Sequence, residues 1–171
     1  IIGDDKTGQE VKSIFEKQGI DTSLILTLDR HTTEKTRFLA SNNQQVLRLD
    51  VEDTDPLNLD ECSRMLELLD KQIRMFDLIL VSDYLKGLLT LEFTQGLIQK
   101  AKAIGIPVII DVKDTRLEKY KDAYLLKPNL KELQDITGIT VHNDEEIISA
   151  SRKLREFCHA EYILTTCGAR G

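Results

Sequence analysis

From residue 57 onward, short runs that are apolar throughout alternate with longer segments whose apolar residues recur at helical spacing. Such runs are typical of strands buried on both faces of a parallel sheet, and the longer segments are typical of amphipathic helices. Their regular alternation predicts an α/β fold of the doubly wound type, with a mostly parallel sheet flanked by helices. The predicted helices cover 57–73, 91–104, 130–137 and 144–158, and the predicted strands cover 77–82, 107–111, 125–126 and 162–166.

Polar residues and glycines follow each predicted strand. In an open parallel sheet, ligands bind beyond the carboxyl ends of the strands, so these residues are expected along one edge. Lysines, small glycine turns and carboxylates together suit a phosphorylated ligand with a divalent cation. The sequence contains neither the dinucleotide fingerprint nor the P-loop motif. The segments concerned are SDYLKG at 82–87, DVKD at 111–114, KPNLKE at 127–132 and TTCGARG at 165–171.

Asn129 and Glu132 admit two interpretations. An asparagine followed three residues later by a glutamate is typical of a helix cap, and Pro128 keeps the preceding residue extended, so that the strand ends there. The same two side chains also lie at the strand edge where phosphates are expected. Capping alone explains the spacing of these two residues. A role in metal binding is indicated only by the polar residues that follow the other predicted strands. We expect both roles.

The segment 32–53 shows a different pattern, with two alternating strands around Asn42-Asn43. Paired asparagines tolerate left-handed conformations, so we predict a β-hairpin with a two-residue loop. In that register one face of the hairpin is charged, with Arg37 opposite Arg48 and Lys35 opposite Asp50.

The two faces of this hairpin suggest different partners. Directly opposed arginines repel each other, so an anion bound at the charged face would relieve the repulsion. A hairpin with one solvated face is the alternative. The other face must be covered by the main domain or by a second copy of the chain, because it carries Phe38, Ala40, Leu47 and Leu49.

The composition excludes several classes of function. The net charge of −6 argues against general nucleic-acid binding, and no apolar stretch approaches a membrane span of about 20 residues. The cysteines lack a CxxC pair, so we expect reduced thiols in a cytoplasmic protein, without disulfides or a zinc site. The histidines lie far apart, which argues against a histidine-based metal cluster. Since the sequence starts at Ile1 and stops after TTCGARG, we expect both ends to be cut from a longer protein.

Taken together, these motifs resemble the ribokinase-like family of carbohydrate kinases. NLKE at 129–132 is similar to the family's NxxE motif, and TTCGARG is similar to its nucleotide-binding loop, T-x-G-x-x-G. SDYLKG, DVK and TTEKTRFLASNNQQVLRLD resemble the heptose 7-phosphate kinases in particular, and GDDKTG at 3–8 also fits. Those kinases often form the first domain of bifunctional ADP-heptose synthases of bacterial lipopolysaccharide biosynthesis. We interpret 1–171 as a partial kinase domain that contains the hairpin 32–53 as a lid.

The resemblance implies phosphoryl transfer from ATP, with Mg²⁺, to the anomeric hydroxyl of D-glycero-D-manno-heptose 7-phosphate. It implies that Asn129 and Glu132 order Mg²⁺ and its waters near the ATP phosphates, and that Lys113 approaches a nucleotide phosphate. The other residues expected at the nucleotide are Thr166, Gly168 and Gly171. The residues expected around the sugar phosphate are Asp5, Lys35, Arg37, Gln45, Arg48, Asp83 and Lys86. The apolar face of the lid implies a homodimer.

The sequence also departs from the family pattern. Residues 1–171 contain no GAGD motif, which supplies the family's catalytic base, and Val112 stands where heptose kinases often have proline. We therefore expect this chain alone to be inactive and the first strands of the family fold to be missing. One alternative is a related kinase for another sugar or a nucleoside, which would not need a charged lid. Another is a non-catalytic ligand-binding or dimerisation domain.

Overall fold

The computed structural model describes all residues from 1 to 171, which form two compact units, Ile1–Asp55 and Pro56–Gly171. The first unit contains β1 (Ile2–Gly3), α1 (Lys6–Lys17), β2 (Thr27–Leu28), β3 (Glu34–Leu39) and β4 (Gln45–Val51). The second contains α2 (Leu59–Asp70), β5 (Ile79–Ser82), α3 (Leu91–Ala103), β6 (Val108–Asp111), β7 (Leu125–Lys127), α4 (Leu130–Thr137), α5 (Asp144–Cys158) and β8 (Tyr162–Ile163). Short 3₁₀ turns occupy Ile73–Met75, Leu117–Tyr120 and Gly168–Arg170. None of the helices is both long enough and apolar enough to cross a membrane.

In the first unit, β3 and β4 form the predicted antiparallel hairpin. Arg37 pairs with Arg48, and Lys35 pairs with Asp50, so the predicted register is confirmed. The two-residue loop, however, is wrong: Ala40 N–H donates to Gln44 O at 2.9 Å, which leaves three residues, 41–43, in the turn. The extra loop residue is compensated by one extra residue in β4, Val46, opposite the step from Phe38 to Leu39 in β3, where the register shifts. This bulge restores the pairing that the shorter loop would have given.

In the second unit, β5, β6, β7 and β8 form a parallel sheet in that order. The predicted α/β fold with a parallel sheet flanked by helices is therefore confirmed. The helices start where side chains cap them: Asn58 and Asn129 each accept a hydrogen bond from a backbone N–H three residues on, and Asn143 does the same. The fourth predicted strand is shorter than expected, because regular pairing ends at Ile163.

The core of this unit lies between one face of the sheet and helices α2–α5. Val81, Val108, Ile110 and Leu126 face it from the strands, and Leu97, Leu133 and Leu154 face it from the helices. The expected burial of the strands on both faces is wrong in part, because Leu80 is 69% exposed and Tyr162 is 49% exposed. The uniformly apolar runs therefore mark one closely packed face and one face that stays partly open within these residues.

Candidate active site at the carboxyl edge of the sheet

The carboxyl ends of the four parallel strands bring the polar segments to one edge. Ser82 lies beside Asp111, and Asp111 lies beside Lys127, in continuous register. Beyond the regular strands, Asn129 forms a further parallel bridge with Thr166. The edge that we expected from the alternation of strands and helices is therefore present, and it carries side chains from four separate segments.

Asn129 and Glu132 cap α4 reciprocally at this edge. Asn129 Oδ1 accepts a hydrogen bond from Glu132 N–H at 2.9 Å, and Glu132 Oε2 accepts one from Asn129 N–H at 2.8 Å. The second carboxylate oxygen of Glu132 accepts a hydrogen bond from the Lys113 ammonium. This bond raises the pKa of Lys113, to which the negative charges of Glu132 and Asp111 also contribute. At this edge the Glu132 carboxylate thus contacts both the Lys113 ammonium and Asn129.

The side-chain oxygens at this edge suit a magnesium ion that keeps most of its waters better than one that is enclosed by protein ligands. No cluster of three or more His, Cys, Asp or Glu residues is arranged to hold a metal ion. Mg²⁺ usually keeps several waters and takes one or two carboxylates together with phosphate oxygens. Glu132 and Asp111 are the carboxylates that fit this pattern, although Asp111 is paired with Lys127 at 2.8 Å. Any Mg²⁺ here would depend mainly on water and phosphate ligands.

The residues expected at the nucleotide follow β8. Thr166 N–H donates to Pro128 O at 3.0 Å, which ties this segment to the segment that precedes α4. Gly168 and Gly171 have φ values of 63° and 115°, in the region that favours glycine. No side chain or backbone atom would meet a Cβ at either glycine, so the left-handed backbone itself is what requires glycine there.

Asp83, expected at the sugar phosphate, is buried at the same edge. Its residue is 3% exposed, and its Oδ2 accepts hydrogen bonds from Lys119 Nζ at 2.8 Å and Tyr120 OH at 2.5 Å. Lys86, four residues after Ser82, is half-buried. Burial and the hydrogen bond to Asp83 raise the pKa of the Tyr120 hydroxyl. Neither Lys119 nor Tyr120 was among the predicted site residues, because nothing in LEKY at 117–120 marks a buried lysine.

The other expected sugar-phosphate residues belong to the first unit. On the hairpin, Lys35 Nζ lies 2.9 Å from Asp50 and 3.1 Å from Glu52, and Arg48 Nε lies 2.9 Å from Asp50. The hydrogen bond from Lys35 lowers the pKa of Asp50. Arg37 and Gln45 are exposed. The charged face of the hairpin therefore carries carboxylates that partly neutralise its cations.

Asp5 is a helix cap and a link to the start of the hairpin. Its Oδ1 accepts from Gly8 N–H at 2.7 Å, and its Oδ2 accepts from Thr32 N–H at 2.8 Å. Thr32 Oγ1 in turn accepts from Gly3 N–H at 2.8 Å. A Cβ at Gly3 would lie 2.0 Å from Arg30 O, so the glycine is required by close backbone approach. Thr32 was not predicted, since a threonine in TTEK carries no sign of this contact.

Comparison with known proteins places the chain among the carbohydrate kinases. The sequence profile of the pfkB family carbohydrate kinases matches residues 1–171. The bifunctional protein HldE of Aliarcobacter butzleri is 40% identical over 172 residues, covering 100% of this chain and 36% of the relative. HldE of Paramagnetospirillum magneticum is 37% identical over 167 residues, covering 97% of this chain and 34% of the relative. The chain therefore spans about a third of the length of these relatives.

Solved structures show the same fold at lower identity. The phosphofructokinase-2 of Escherichia coli in complex with fructose-6-phosphate matches with a TM-score of 0.73 and 21% identity, covering 99% of this chain and 56% of that one. The ribokinase of Arabidopsis thaliana, complexed with ribose and ATP, matches with a TM-score of 0.74 and 20% identity, covering 99% of this chain and 54% of that one. These likenesses support the ribokinase-like fold predicted from the sequence.

Proposed function

We propose a function from one premise: this chain belongs to the pfkB family of carbohydrate kinases. The protein that contains it transfers the γ-phosphoryl group of ATP to the anomeric hydroxyl of D-glycero-D-manno-heptose 7-phosphate, a step toward ADP-heptose. The identity to proteins named HldE supports this substrate. The observation that carries the proposal is the shared edge at which Lys113, Glu132 and Asn129 meet.

The chemistry at this edge consists of positioning and charge neutralisation. The hydroxyl oxygen of the sugar attacks the γ-phosphorus, the bond to the ADP oxygen breaks, and the hydroxyl proton passes to a general base. Lys113 faces a nucleotide phosphate, and Asn129 and Glu132 would hold the waters of a bound Mg²⁺ ion, which would supply further charge neutralisation. The glycine turn at Gly168 and Gly171 lets the backbone approach the nucleotide closely. We place the reaction in the cytoplasm, where ATP is available.

On the sugar side, the phosphate of the heptose meets cations of the hairpin. Lys35, Arg37 and Arg48 offer these charges, and Arg37 has no carboxylate across from it because it pairs with Arg48. A bound phosphate would relieve the repulsion between the two arginines.

We also propose that the lid joins two copies of the protein. The apolar side of the hairpin is exposed, with Phe38 at 48%, Leu47 at 58% and Leu49 at 52%. A contiguous exposed apolar surface on a strand pair favours association with another surface of the same kind. A second copy presents that surface, so a homodimer covers it on both chains.

One observation favours a second candidate, a kinase for an uncharged sugar or a nucleoside. Lys35 and Arg48 are already paired with Asp50 and Glu52, which lowers the net charge available for a phosphate. A substrate panel on the full-length protein separates the two candidates: ATP, Mg²⁺ and heptose 7-phosphate, ribose, fructose 6-phosphate or adenosine, with ADP formation as the readout. We expect kcat/KM for the heptose phosphate to be roughly 100-fold above that for any uncharged sugar, as for loss of a charged contact. A higher value for ribose or adenosine would favour the second candidate.

A further inference from the structure

Lys119 is a buried lysine whose three ammonium protons all have acceptors. The residue is 5% exposed, and Nζ lies 2.8 Å from Asp83 Oδ2, 2.9 Å from Asp114 Oδ2 and 3.2 Å from Leu89 O. These acceptors come from two segments: Asp83 and Leu89 lie in the loop between β5 and α3, and Asp114 lies after β6. An ammonium offers three donors, so Lys119 is fully satisfied where it lies. Its side chain joins these segments at the carboxyl edge.

Both carboxylate oxygens of Asp83 accept hydrogen bonds from neighbouring groups, and the side chain is almost closed to solvent. Oδ1 accepts from Leu85 N–H at 2.8 Å, and Oδ2 is shared by Lys119 and Tyr120. Its side chain is 2% exposed. A sugar phosphate therefore cannot be contacted by Asp83 without breaking this network, and the contribution of Asp83 to the site is indirect.

The loop 83–89 needs such support because its backbone is unusual. Leu85 has a φ of 55°, which is costly for a residue with a branched side chain, and Gly87 has a φ of 80°. Leu85 is 49% exposed and Tyr84 is 71% exposed, so packing of their own side chains does little to hold the loop. The hydrogen bond from Leu85 N–H to Asp83 holds the strained residue, and Lys119 and Tyr120 hold Asp83.

The segment after β6 has support of its own. Asp114 accepts three hydrogen bonds from the Arg116 guanidinium and one from the Arg116 N–H, at 2.8–3.2 Å, without help from Lys119. Lys113 is held separately by Glu132. The Tyr120 hydroxyl also accepts a hydrogen bond from Asp114 N–H at 3.2 Å, but Arg116 still holds the Asp114 side chain when that contact is lost. Loss of Lys119 or of the Tyr120 hydroxyl therefore releases the loop 83–89 more than the nucleotide side of the edge.

We propose that Lys119 and Tyr120 are positioning residues that preorganise the loop 83–89 for the phosphorylated sugar by fixing Asp83. This inference rests on the proposed function for its substrate, and on the geometry alone for the loop. Asp83, which was expected to contact the sugar phosphate directly, instead holds the loop from a buried position. The sugar phosphate is then bound by exposed groups of the loop, among them Tyr84.

The test uses the full-length protein with two variants. Tyr120→Phe removes one donor to Asp83, and the acceptor of Asp114 N–H, at nearly constant volume. Lys119→Met leaves the buried Asp83 carboxylate without its cation, whereas Asp114 keeps Arg116. Lys102→Met is the matched control, since Lys102 forms an exposed ion pair with Asp122 at 3.0 Å. In Tyr120→Phe we expect the amide of Leu85 to exchange its hydrogen about tenfold faster, as for loss of a hydrogen bond to a charged group. KM for the sugar phosphate should rise by a similar factor, while KM for ATP stays within about twofold.

The outcomes separate the claims. Lys119→Met should show the same pattern more strongly, and Lys102→Met should match the wild type. A merely structural network would lower Tm and leave both KM values of the folded enzyme unchanged, which overturns the inference, as does wild-type exchange at Leu85 in both variants. A wild-type protein that phosphorylates no sugar phosphate refutes the proposed function, and the exchange rates then still decide whether Lys119 and Tyr120 hold the loop.

Discussion

The side chains of Asn129 and Glu132 each accept a hydrogen bond from the backbone N–H of the other residue, and Glu132 also accepts a hydrogen bond from Lys113. The pair is therefore a complete helix cap and part of a charged contact at the carboxyl edge of the sheet. A capping glutamate needs no lysine partner, so the contact with Lys113 is what separates this cap from an ordinary one. α2 offers the comparison, because Asn58 and Glu61 form the same reciprocal cap.

Substitution of Glu132 should separate its two roles. Glu132→Gln keeps an oxygen that can accept from Asn129 N–H, so we expect the free energy of unfolding to change by less than about 1 kcal/mol. The negative charge beside Lys113 and the proposed Mg²⁺ is lost, so kcat should fall on the order of a hundredfold. Chemical denaturation and steady-state kinetics of the full-length protein measure both quantities.

The matched control for this substitution is Glu61→Gln in the cap of α2. The same hydrogen-bond geometry is altered there, but no residue of the proposed site contacts it, and kcat should equal that of the wild type. If both variants retained full activity, Glu132 would be a cap alone and the metal role would be lost. Equal losses in both variants would point to general destabilisation.

The apolar side of the hairpin should control the oligomeric state. Leu47→Asp places a charge beside Phe38 in the paired strands, and burial of that charge in a contact between copies would cost several kcal/mol. We expect the dimer of the full-length protein to dissociate, which light scattering after size exclusion detects as a halved mass. Ile14→Asp on α1 is the control, because Ile14 is also exposed, at 57%, and should leave the mass unchanged. An unaltered mass in Leu47→Asp would remove the hairpin from the interface.

Local sequence patterns predicted most of the second unit. α5 begins and ends at the predicted residues, because Asn143 caps it and the apolar spacing continues to Cys158. The loop of the hairpin could not be predicted in the same way. A two-residue loop and a three-residue loop followed by a bulge give Arg37 and Arg48 the same pairing, so charge and apolar patterns do not distinguish them.

The support of the candidate site was the part that sequence reasoning missed. Lys119 lies among charged residues in a segment typical of a solvated turn, and its burial depends on Asp83, 36 residues away. A carboxylate that ends a strand and a lysine in a later turn meet only once the strands are aligned. The positions of Asp83 and Asn129 at the edge follow from strand order, whereas the partners of Asp83 follow from tertiary packing.

The link between Asp5 and Thr32 should make the first unit sensitive to acid. Backbone N–H groups of Thr32 and Gly8 hold the pKa of Asp5 below its ordinary value of 3.8. A lowered folded-state pKa stabilises the protein fully above the unfolded-state value, and the contribution is lost as pH falls through the folded-state pKa. We expect Asp5→Asn to be less stable than the wild type at pH 6, with the difference shrinking below pH 3.8. Unfolding curves of both proteins across this range measure it.

The Thr32→Val variant tests the same link from the other side. It removes the hydroxyl that accepts from Gly3 N–H and donates to Asp5 Oδ1 at 2.8 Å. A buried N–H without a partner costs about 1–3 kcal/mol, and this part of the loss should persist at low pH because Gly3 N–H does not titrate. The part that comes from the hydrogen bond to the Asp5 carboxylate should shrink as Asp5 becomes protonated. A loss for Asp5→Asn that did not depend on pH would show that the carboxylate charge has no part in the link.

The packing of α5 against the turn Leu117–Tyr120 can be measured through Cys158. This thiol is fully buried, its Sγ lies 3.9 Å from Leu117 O, and burial raises its pKa to about 12. At pH 8 it is almost entirely protonated and shielded, whereas Cys167 is only half-buried. We expect iodoacetamide to modify Cys167 on the order of a hundredfold faster than Cys158 in the native full-length protein, with peptide mapping to assign each site. In denaturant the two rates should converge. Comparable rates in the native protein would mean that α5 does not cover the turn that carries Lys119.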